Sequence, residues 1–199
     1  MAHVFVREGD ALVRQLYGEK LRIEPWGKNS LRVRAAKLAD FIDQNWALDT
    51  LPEDSGDCQI SIEEDRAIIR NGKISASVLS DGLITFYNQK NEVILQEYVR
   101  NRNDLEKYCS PLGIAAREWK AQTAGDYALT VRFESDPNEK IFGMGQYQHG
   151  YLNQKNCRLT LEQRNTQVTV PFYLSDKGYG FLWNNPAVGW VSFAKNIYV

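Results

Sequence analysis

Turn-forming dipeptides set between short apolar runs limit most strongly how this chain can fold. Between residues 61 and 99, short runs rich in β-branched and aromatic residues alternate with Asn71-Gly72 and Asp81-Gly82. Such dipeptides readily adopt the positive φ angles of a two-residue hairpin turn. Residues 21–24 and 31–35 alternate apolar and charged side chains, which is typical of a sheet with one face in water. About a dozen such segments and little helical periodicity predict an antiparallel all-β sandwich.

Other stretches lack this pattern. Residues 38–47 are weakly periodic and fit either a short helix or a coil, 51–57 are typical of a surface loop, and 100–113 are polar and irregular. Residues 190–199 form an apolar run, and we expect the natural polypeptide to continue beyond them. Because domains usually hold roughly 100–200 residues, the sequence predicts one domain covering 1–199.

Composition excludes several classes of partner. Lysine and arginine number 24 and aspartate and glutamate 25, so the net charge is −1 and nothing favours a phosphate backbone; we expect no nucleic-acid partner. No run approaches the roughly 18 apolar residues of a membrane span, and the first 15 residues lack the pattern of a signal peptide. Cys58, Cys109 and Cys157 are scattered and odd in number, which argues against a disulfide framework and favours a cytoplasmic location.

Motifs of common catalytic sites are missing. The sequence contains no P-loop, no H-E-x-x-H and no G-x-S-x-G, and we expect no cofactor and no metal. The adjacent acids 63–65 predict a solvated turn rather than a metal site, because they lack the spacing of ligands. His149 is the one histidine placed for a Ser-His-Asp or Cys-His site, but Cys157 fits better as a small buried side chain.

The segment 141–151, with the sequence IFGMGQYQHGY, is the best candidate for contact with a ligand. Gly143 and Gly145 favour a tight backbone path. Gln146, His149 and Tyr151, together with Gln148, carry groups that can donate or accept hydrogen bonds to a sugar. A surface loop without a ligand explains the same residues equally well.

Three stretches carry a resemblance to a known family. They are residues 142–146 (FGMGQ), 165–175 (NTQVTVPFYLS) and 177–186 (KGYGFLWNNP). Together they resemble the N-terminal domain of glycoside hydrolase family 31, of the α-glucosidase and α-xylosidase type. The resemblance implies a galactose-mutarotase-like β-sandwich that packs on a catalytic (β/α)8 barrel. It also implies that the two catalytic carboxylates lie in that barrel, outside this chain, so that the chain contributes no catalytic residue and is inactive alone.

The same resemblance implies a supporting role at the substrate site. In relatives a loop before the strand that carries Pro171 reaches the barrel mouth, and by position it corresponds to Gln163, Arg164, Asn165 and Thr166 here. We therefore expect those four residues, with Gln146 and His149, to contact an α-linked oligosaccharide or glycoside. Because some relatives carry an acid in this loop, Arg164 indicates a different preference, such as an anionic or bulky leaving group.

Three functions are consistent with the residues. An accessory domain of a retaining α-glycosidase should expose a large apolar face where the barrel docks. A free-standing carbohydrate-binding module should carry its own platform of rings, for which Tyr147, Tyr151, Trp183 and Trp190 are candidates. A mutarotase-like isomerase should pair a histidine with an acid, and only His149 is placed for that role.

Overall fold

The computed structural model describes residues 4–43, 58–100 and 113–194. They fall into two compact units. The first unit contains residues 4–43, 58–100 and 113–134, and the second contains 135–194. The expectations for 51–57, for 44–47 and for 101–112 lie outside the described residues. Residues 38–43 form neither a helix nor a strand, which agrees with the coil alternative for that part of 38–47. That residues 1–199 form a single domain stays a prediction.

The all-β antiparallel prediction is confirmed. The described residues form sixteen strands and a single short 3-10 turn, at Thr123–Gly125. In chain order the strands are β1 Phe5–Glu8, β2 Ala11–Leu16, β3 Glu19–Pro25, β4 Leu31–Lys37, β5 Cys58–Ile62, β6 Arg66–Asn71, β7 Ile74–Leu79, β8 Ile84–Tyr87, β9 Val93–Gln96, β10 Arg117–Ala121, β11 Tyr127–Val131, β12 Ile141–Gln146, β13 Arg158–Leu161, β14 Val168–Ser175, β15 Tyr179–Leu182 and β16 Gly189–Ser192. Among the described residues, none lies in a helix of the length and apolarity needed to cross a bilayer.

The first unit is a sandwich of two antiparallel sheets. One sheet has the order β1-β2-β3-β4 and the other the order β5-β6-β7-β8-β9, while β10 and β11 form a separate hairpin. Side chains from both large sheets make one core, and those that are at most 1% exposed include Leu12, Leu21, Ile23, Ile69 and Ile84. Each such side chain contributes about 1.5–3 kcal/mol through burial of apolar surface.

The predicted alternation in β3 and β4 is present in the structure. Leu21 pairs with Ala35 and Ile23 pairs with Val33, so these four side chains share one face of the sheet. Val33 nevertheless remains 39% exposed, because β4 is the edge strand of its sheet.

Both predicted hairpins form. The first has the expected two-residue turn, one residue later in the chain, and the second has a three-residue turn. Asn71 pairs with Ile74 at the end of the ladder, so the two turn residues are Gly72 and Lys73. Only Gly72 has a positive φ, 57°, as a II′ turn requires. The second turn spans Ser80, Asp81 and Gly82, and the side chain of Asp81 accepts a hydrogen bond from the Leu83 N–H.

A network of buried charges joins distant parts of the first unit. The Arg117 guanidinium donates to the carboxylates of Glu97 and Glu19, and Arg14 donates to Glu19 at 3.1 Å. Burial raises the pKa of Glu97 even beside Arg117. Burial also opposes ionisation of Glu19, but the hydrogen bond and charge of Arg117 outweigh it and leave the pKa of Glu19 lowered. The network lies in the interior of the first unit, where it acts on stability.

The second unit has two small antiparallel sheets, with the orders β12-β14-β15 and β13-β16. Its core contains Ile141, Met144, Leu159, Tyr173 and Phe193. The ring of Tyr173 packs against Phe181 and Phe193, with centroids 5.3 and 5.4 Å apart. This core anchors the two loops that carry the residues of the candidate site.

Candidate functional site

The first six residues of the 141–151 segment form strand β12, which rules out the surface-loop alternative for them. Gly143, Met144 and Gly145 have φ values of 112°, 74° and 99°. Gly143↔Tyr173 and Gly145↔Thr169 are paired, so β14 carries two more residues than β12 between these pairs. The sequence did not reveal this strand, because the two glycines that the bulge requires are more typical of a loop.

The tight backbone path expected at the two glycines is confirmed. A Cβ atom at Gly143 would lie 2.7 Å from the Phe172 carbonyl oxygen, and one at Gly145 would overlap the carbonyl oxygen of Val168. The side chain of Met144 turns into the core, where it is 3% exposed. Bulges commonly re-aim the residues that follow them. Here the bulge leads directly to Gln146 and to the ring-bearing loop.

Three rings follow β12 at alternate positions. Tyr147 and His149 are stacked, with centroids 5.9 Å apart and an interplanar angle of 4°, and Tyr151 lies 5.5 Å beyond His149. The Tyr147 hydroxyl donates to the carbonyl of Thr160, which fixes the first ring. Tyr151 is 66% exposed, so the outer end of the row faces solvent. An exposed ring of this kind can stack on the C–H face of a pyranose.

The predicted loop before β14 is a turn held by its own side chains. The amide of Gln163 donates to the Thr169 carbonyl at 2.7 Å and accepts from the Thr169 N–H at 3.0 Å. Arg164 pairs with Glu162 at 2.6 Å, and both side chains are partly exposed. Asn165 is exposed, and Thr166 has a φ of 71°. The turn closes through the Gln167 N–H, which donates to the carbonyl of Arg164.

A hydrogen bond joins the two predicted segments. The Gln148 amide donates to the Thr166 hydroxyl at 2.6 Å, and Gln146 pairs with Val168 in the ladder. The structure thus brings Gln146, Gln148 and Thr166 to one edge of the second unit. We call residues 146–151 together with 163–167 the loop edge.

The residues singled out in the sequence differ in their contacts at the loop edge. Both the nitrogen and the oxygen of the Gln163 amide are hydrogen-bonded to the backbone of Thr169, so this side chain shapes the turn. Arg164, Asn165 and Gln146 are exposed and available to a ligand. Sequence reasoning missed Glu162 and Thr169 as supports of the turn. Thr169 could have been found because it is a polar residue within the otherwise apolar run of β14, and a buried threonine needs a hydrogen-bond partner.

The loop edge offers little that could act as a general acid or base. The His149 Nδ1 accepts a hydrogen bond from the Tyr151 N–H at 3.3 Å, so the ring nitrogen facing that bond is occupied by the backbone. Among the described residues, no group of three or more histidine, cysteine, aspartate or glutamate side chains is arranged to hold a metal ion. Cys157 is half-buried against the second core, as expected of a small apolar side chain. The arrangement offers hydrogen bonds and ring faces to a polar ligand.

The predicted solvated turn of acids is confirmed. Glu63, Glu64 and Asp65 connect β5 to β6, and the Glu63 N–H donates to the Arg66 carbonyl. The Glu63 carboxylate pairs with Arg66 at 3.2 Å, with both side chains about half exposed. The acids therefore form an ordinary surface turn.

Comparison with known proteins places this architecture in a family. Residues 20–191 match the family described as the glycosyl hydrolase 31 N-terminal galactose mutarotase-like domain. The chain is 44% identical to an uncharacterized family 31 glucosidase ORF2 of Pseudescherichia vulneris, over 96% of this chain and 37% of that protein.

Solved structures agree. A GH31 α-xylosidase from a soil metagenome, solved with xylose, is 48% identical with a TM-score of 0.91, over 96% of this chain and 29% of that one. A GH31 α-xylosidase from Xanthomonas citri is 25% identical with a TM-score of 0.73, over 92% and 19%. The chain thus spans well under half the length of these relatives. It belongs to the family of N-terminal galactose mutarotase-like domains of glycosyl hydrolase 31.

Proposed function

We propose that this chain is the accessory N-terminal domain of a family 31 glycoside hydrolase that hydrolyses α-glycosidic bonds with retention. The observation that carries the proposal is the match over 96% of this chain to proteins of which it spans only 37% and 29%. The remaining length of those proteins is where a catalytic (β/α)8 barrel fits. This domain packs on the barrel and lends it the loop edge.

The buried acids of the first unit support an accessory role. A retaining glycosidase needs two carboxyl groups about 5–5.5 Å apart on either side of the scissile bond. In the first unit, Glu19 and Glu97 come together only through Arg117, and both carboxylates are largely buried in ion pairs. Neither of these carboxylates has room for a sugar ring beside it.

The loop edge supports contact with carbohydrate. Gln146, Arg164 and Asn165 present exposed polar groups, and the row of rings ends in the exposed Tyr151. Sugars combine hydroxyl groups with an apolar C–H face, which is the chemistry that such an edge can meet. We infer that the substrate is an α-linked oligosaccharide or glycoside. A cytoplasmic location also fits the scattered cysteines.

A carbohydrate-binding module is the second candidate function. The stacked row from Tyr147 to Tyr151 favours it, and so does Trp190, which is 55% exposed and lies 4.4 Å from the Arg158 guanidinium. Such a module binds sugar without the barrel. Titration of the 199-residue chain with xylo- and gluco-oligosaccharides distinguishes the two, because millimolar or tighter binding by the chain alone favours a module.

Activity assays test the main proposal. Aryl α-glucoside and aryl α-xyloside are offered to the 199-residue chain and, in parallel, to the full-length natural polypeptide. We expect turnover by the full-length protein only. Hydrolysis or epimerisation of sugar by the 199-residue chain would contradict the accessory role and direct the search for an acid–base pair to His149.

A further inference from the structure

The outward face of the sheet β12-β14-β15 is apolar, as a protein interior is. Alternate residues of β14 point outward, and these are Val168, Val170, Phe172 and Leu174. They are 39% to 53% exposed, and Leu182 on β15 adds a side chain that is 40% exposed. The three strands contain no charged residue. We call these five side chains the β14 face.

The inward face of the same sheet carries the polar residues instead. Thr169 is buried, and its hydroxyl donates to the carbonyl of Glu162 at 2.8 Å. Ser175 is also buried and donates to the carboxylate of Glu139, which in turn accepts from the Tyr179 hydroxyl at 2.8 Å. The polar side chains of β14 are thus satisfied within the second unit. The apolar ones point away from it.

In the first unit, the side of a sheet that points away from the core carries charged residues. On β3 and β4, the side chains that point away from the core include Arg22, Glu24, Arg32 and Arg34, and Glu24 pairs with Arg22 at 2.8 Å and with Arg34 at 3.0 Å. The β14 face has no such charges. Since contiguous exposed apolar patches mark interaction sites, the difference indicates that the β14 face is normally covered.

Carbohydrate does not fit the β14 face. Four of its five side chains are aliphatic, and none carries a hydrogen-bonding group. A sugar would leave its hydroxyl groups without partners there, which costs about 1–3 kcal/mol for each buried group. A protein surface of matching apolar character fits better.

We propose that the β14 face is the docking surface for the catalytic part of the family 31 enzyme, an assignment that rests on the proposed function. The relatives carry well over half of their length outside the matched region, so they hold a large partner surface on the same polypeptide. A partner in the same chain is present at a high effective concentration and outcompetes a second copy. The β14 face also lies in the later unit of a domain whose family is N-terminal by description.

Cysteine labelling in the full-length enzyme tests the assignment. Val170→Cys and Leu174→Cys probe the β14 face, and Val93→Cys and Val6→Cys are matched controls in the first unit, because all four valine or leucine positions have similar exposure in this chain, between 47% and 53%. Valine or leucine to cysteine is a small apolar change, so the variants should fold. Maleimide incorporation at each new thiol is followed by peptide mass spectrometry, which separates it from the natural cysteines.

We expect the thiols at 170 and 174 to react at least about tenfold more slowly than both controls in the full-length enzyme. Equal rates in an enzyme that hydrolyses aryl α-glycosides would overturn the docking surface and leave the proposed function standing. A full-length protein without activity would overturn both. Protection at 170 and 174 that disappears on dilution would identify a second copy as the occupant and would also overturn the assignment.

Discussion

The guanidinium of Arg117 binds the carboxylate of Glu97 inside the first unit, where 6% and 3% of the two side chains are exposed. Glu97 also accepts a hydrogen bond from the Ile84 N–H, and Arg117 donates to the carbonyl of Gly82. The pair therefore ties β10 to the turn between β7 and β8. Removing one partner would leave the other charge buried without compensation.

We expect Arg117→Met to lower the free energy of unfolding of the 199-residue chain by about 3–5 kcal/mol, because Glu97 then lies unpaired in the interior. Urea denaturation followed by tryptophan fluorescence measures this. Adding Glu97→Gln should recover part of the loss. Arg132→Ala, which removes an exposed pair with Glu118, is the control and should cost at most about 1 kcal/mol. Equal losses for Arg117 and Arg132 would contradict the role of the buried network.

Alkaline pH should destabilise the second unit through Tyr173. Burial raises the pKa of Tyr173 to about 12 from its usual value of 10.0. Between these values the unfolded chain releases the phenolic proton and the folded chain keeps it, so stability that is present below pH 10 is lost as the pH rises towards 12. Two pKa units correspond to about 2–3 kcal/mol.

Denaturation at pH 9 and pH 11 checks this expectation. Tyr173→Phe should make the decline with pH shallower without abolishing it, since the substituted ring has no proton to release but Tyr179, whose pKa burial also raises, still has one. Tyr17→Phe is the control, because Tyr17 is 88% exposed, and it should follow the wild type. A decline of the same steepness in both variants would show that other groups cause the alkaline loss.

Gly145→Ala should break the pairing of β12 with β14. A Cβ atom there would overlap the Val168 carbonyl oxygen, and the φ of 99° is unfavourable for alanine. We expect a loss of about 3 kcal/mol or more, since backbone strain alone costs about 1–3 kcal/mol. Gly150→Ala has open space around its Cβ and serves as the control in the same segment. Thermal unfolding by circular dichroism would refute the expectation if both variants melted with the wild type.

Arg164→Ala in the full-length enzyme tests the loop edge. Its guanidinium is exposed and pairs with Glu162, and we propose that it contacts the leaving group. We expect KM to rise about 5- to 20-fold for substrates with an anionic leaving group and to change little for neutral ones, because a charge-assisted hydrogen bond contributes about 1–2 kcal/mol.

Arg66→Ala is the matched control for that experiment, since Arg66 is exposed and also pairs with a nearby glutamate. It should leave KM unchanged for every substrate. A uniform KM across leaving groups in the Arg164→Ala enzyme would remove Arg164 from the candidate site.

The local pattern of the sequence predicted the strands wherever side chains alternate regularly. Residues 168–175 are an example: β-branched and aromatic residues fill the run, turn residues follow it, and it forms β14. Residues 141–146 were missed as a strand because glycines dominate the bulge. The pairing of Glu19 with Arg117, 98 residues apart, has no local signal at all.

The candidate site was only partly accessible to sequence reasoning. The resemblance to relatives pointed to both halves of the loop edge, but the Gln148–Thr166 bond that joins them depends on register. The alternation of β14 likewise does not say which of its two faces is buried. Thr169 and Ser175 can lie inside because the Glu162 carbonyl and the Glu139 carboxylate accept hydrogen bonds from their hydroxyls.

The bulge between β12 and β14 also determines which face of the sheet each β14 side chain points to. Val170, Pro171 and Phe172 lie opposite Met144 alone, so β14 holds two extra residues, and an even number leaves the in–out alternation in step on both sides of the bulge. Deleting a single residue there would turn the half of β14 before it inside out, with Val168 in the core and Thr169 in solvent. Deleting two would shorten the strand and spare both faces. We therefore expect removal of two residues here to preserve both faces of β14 better than removal of one.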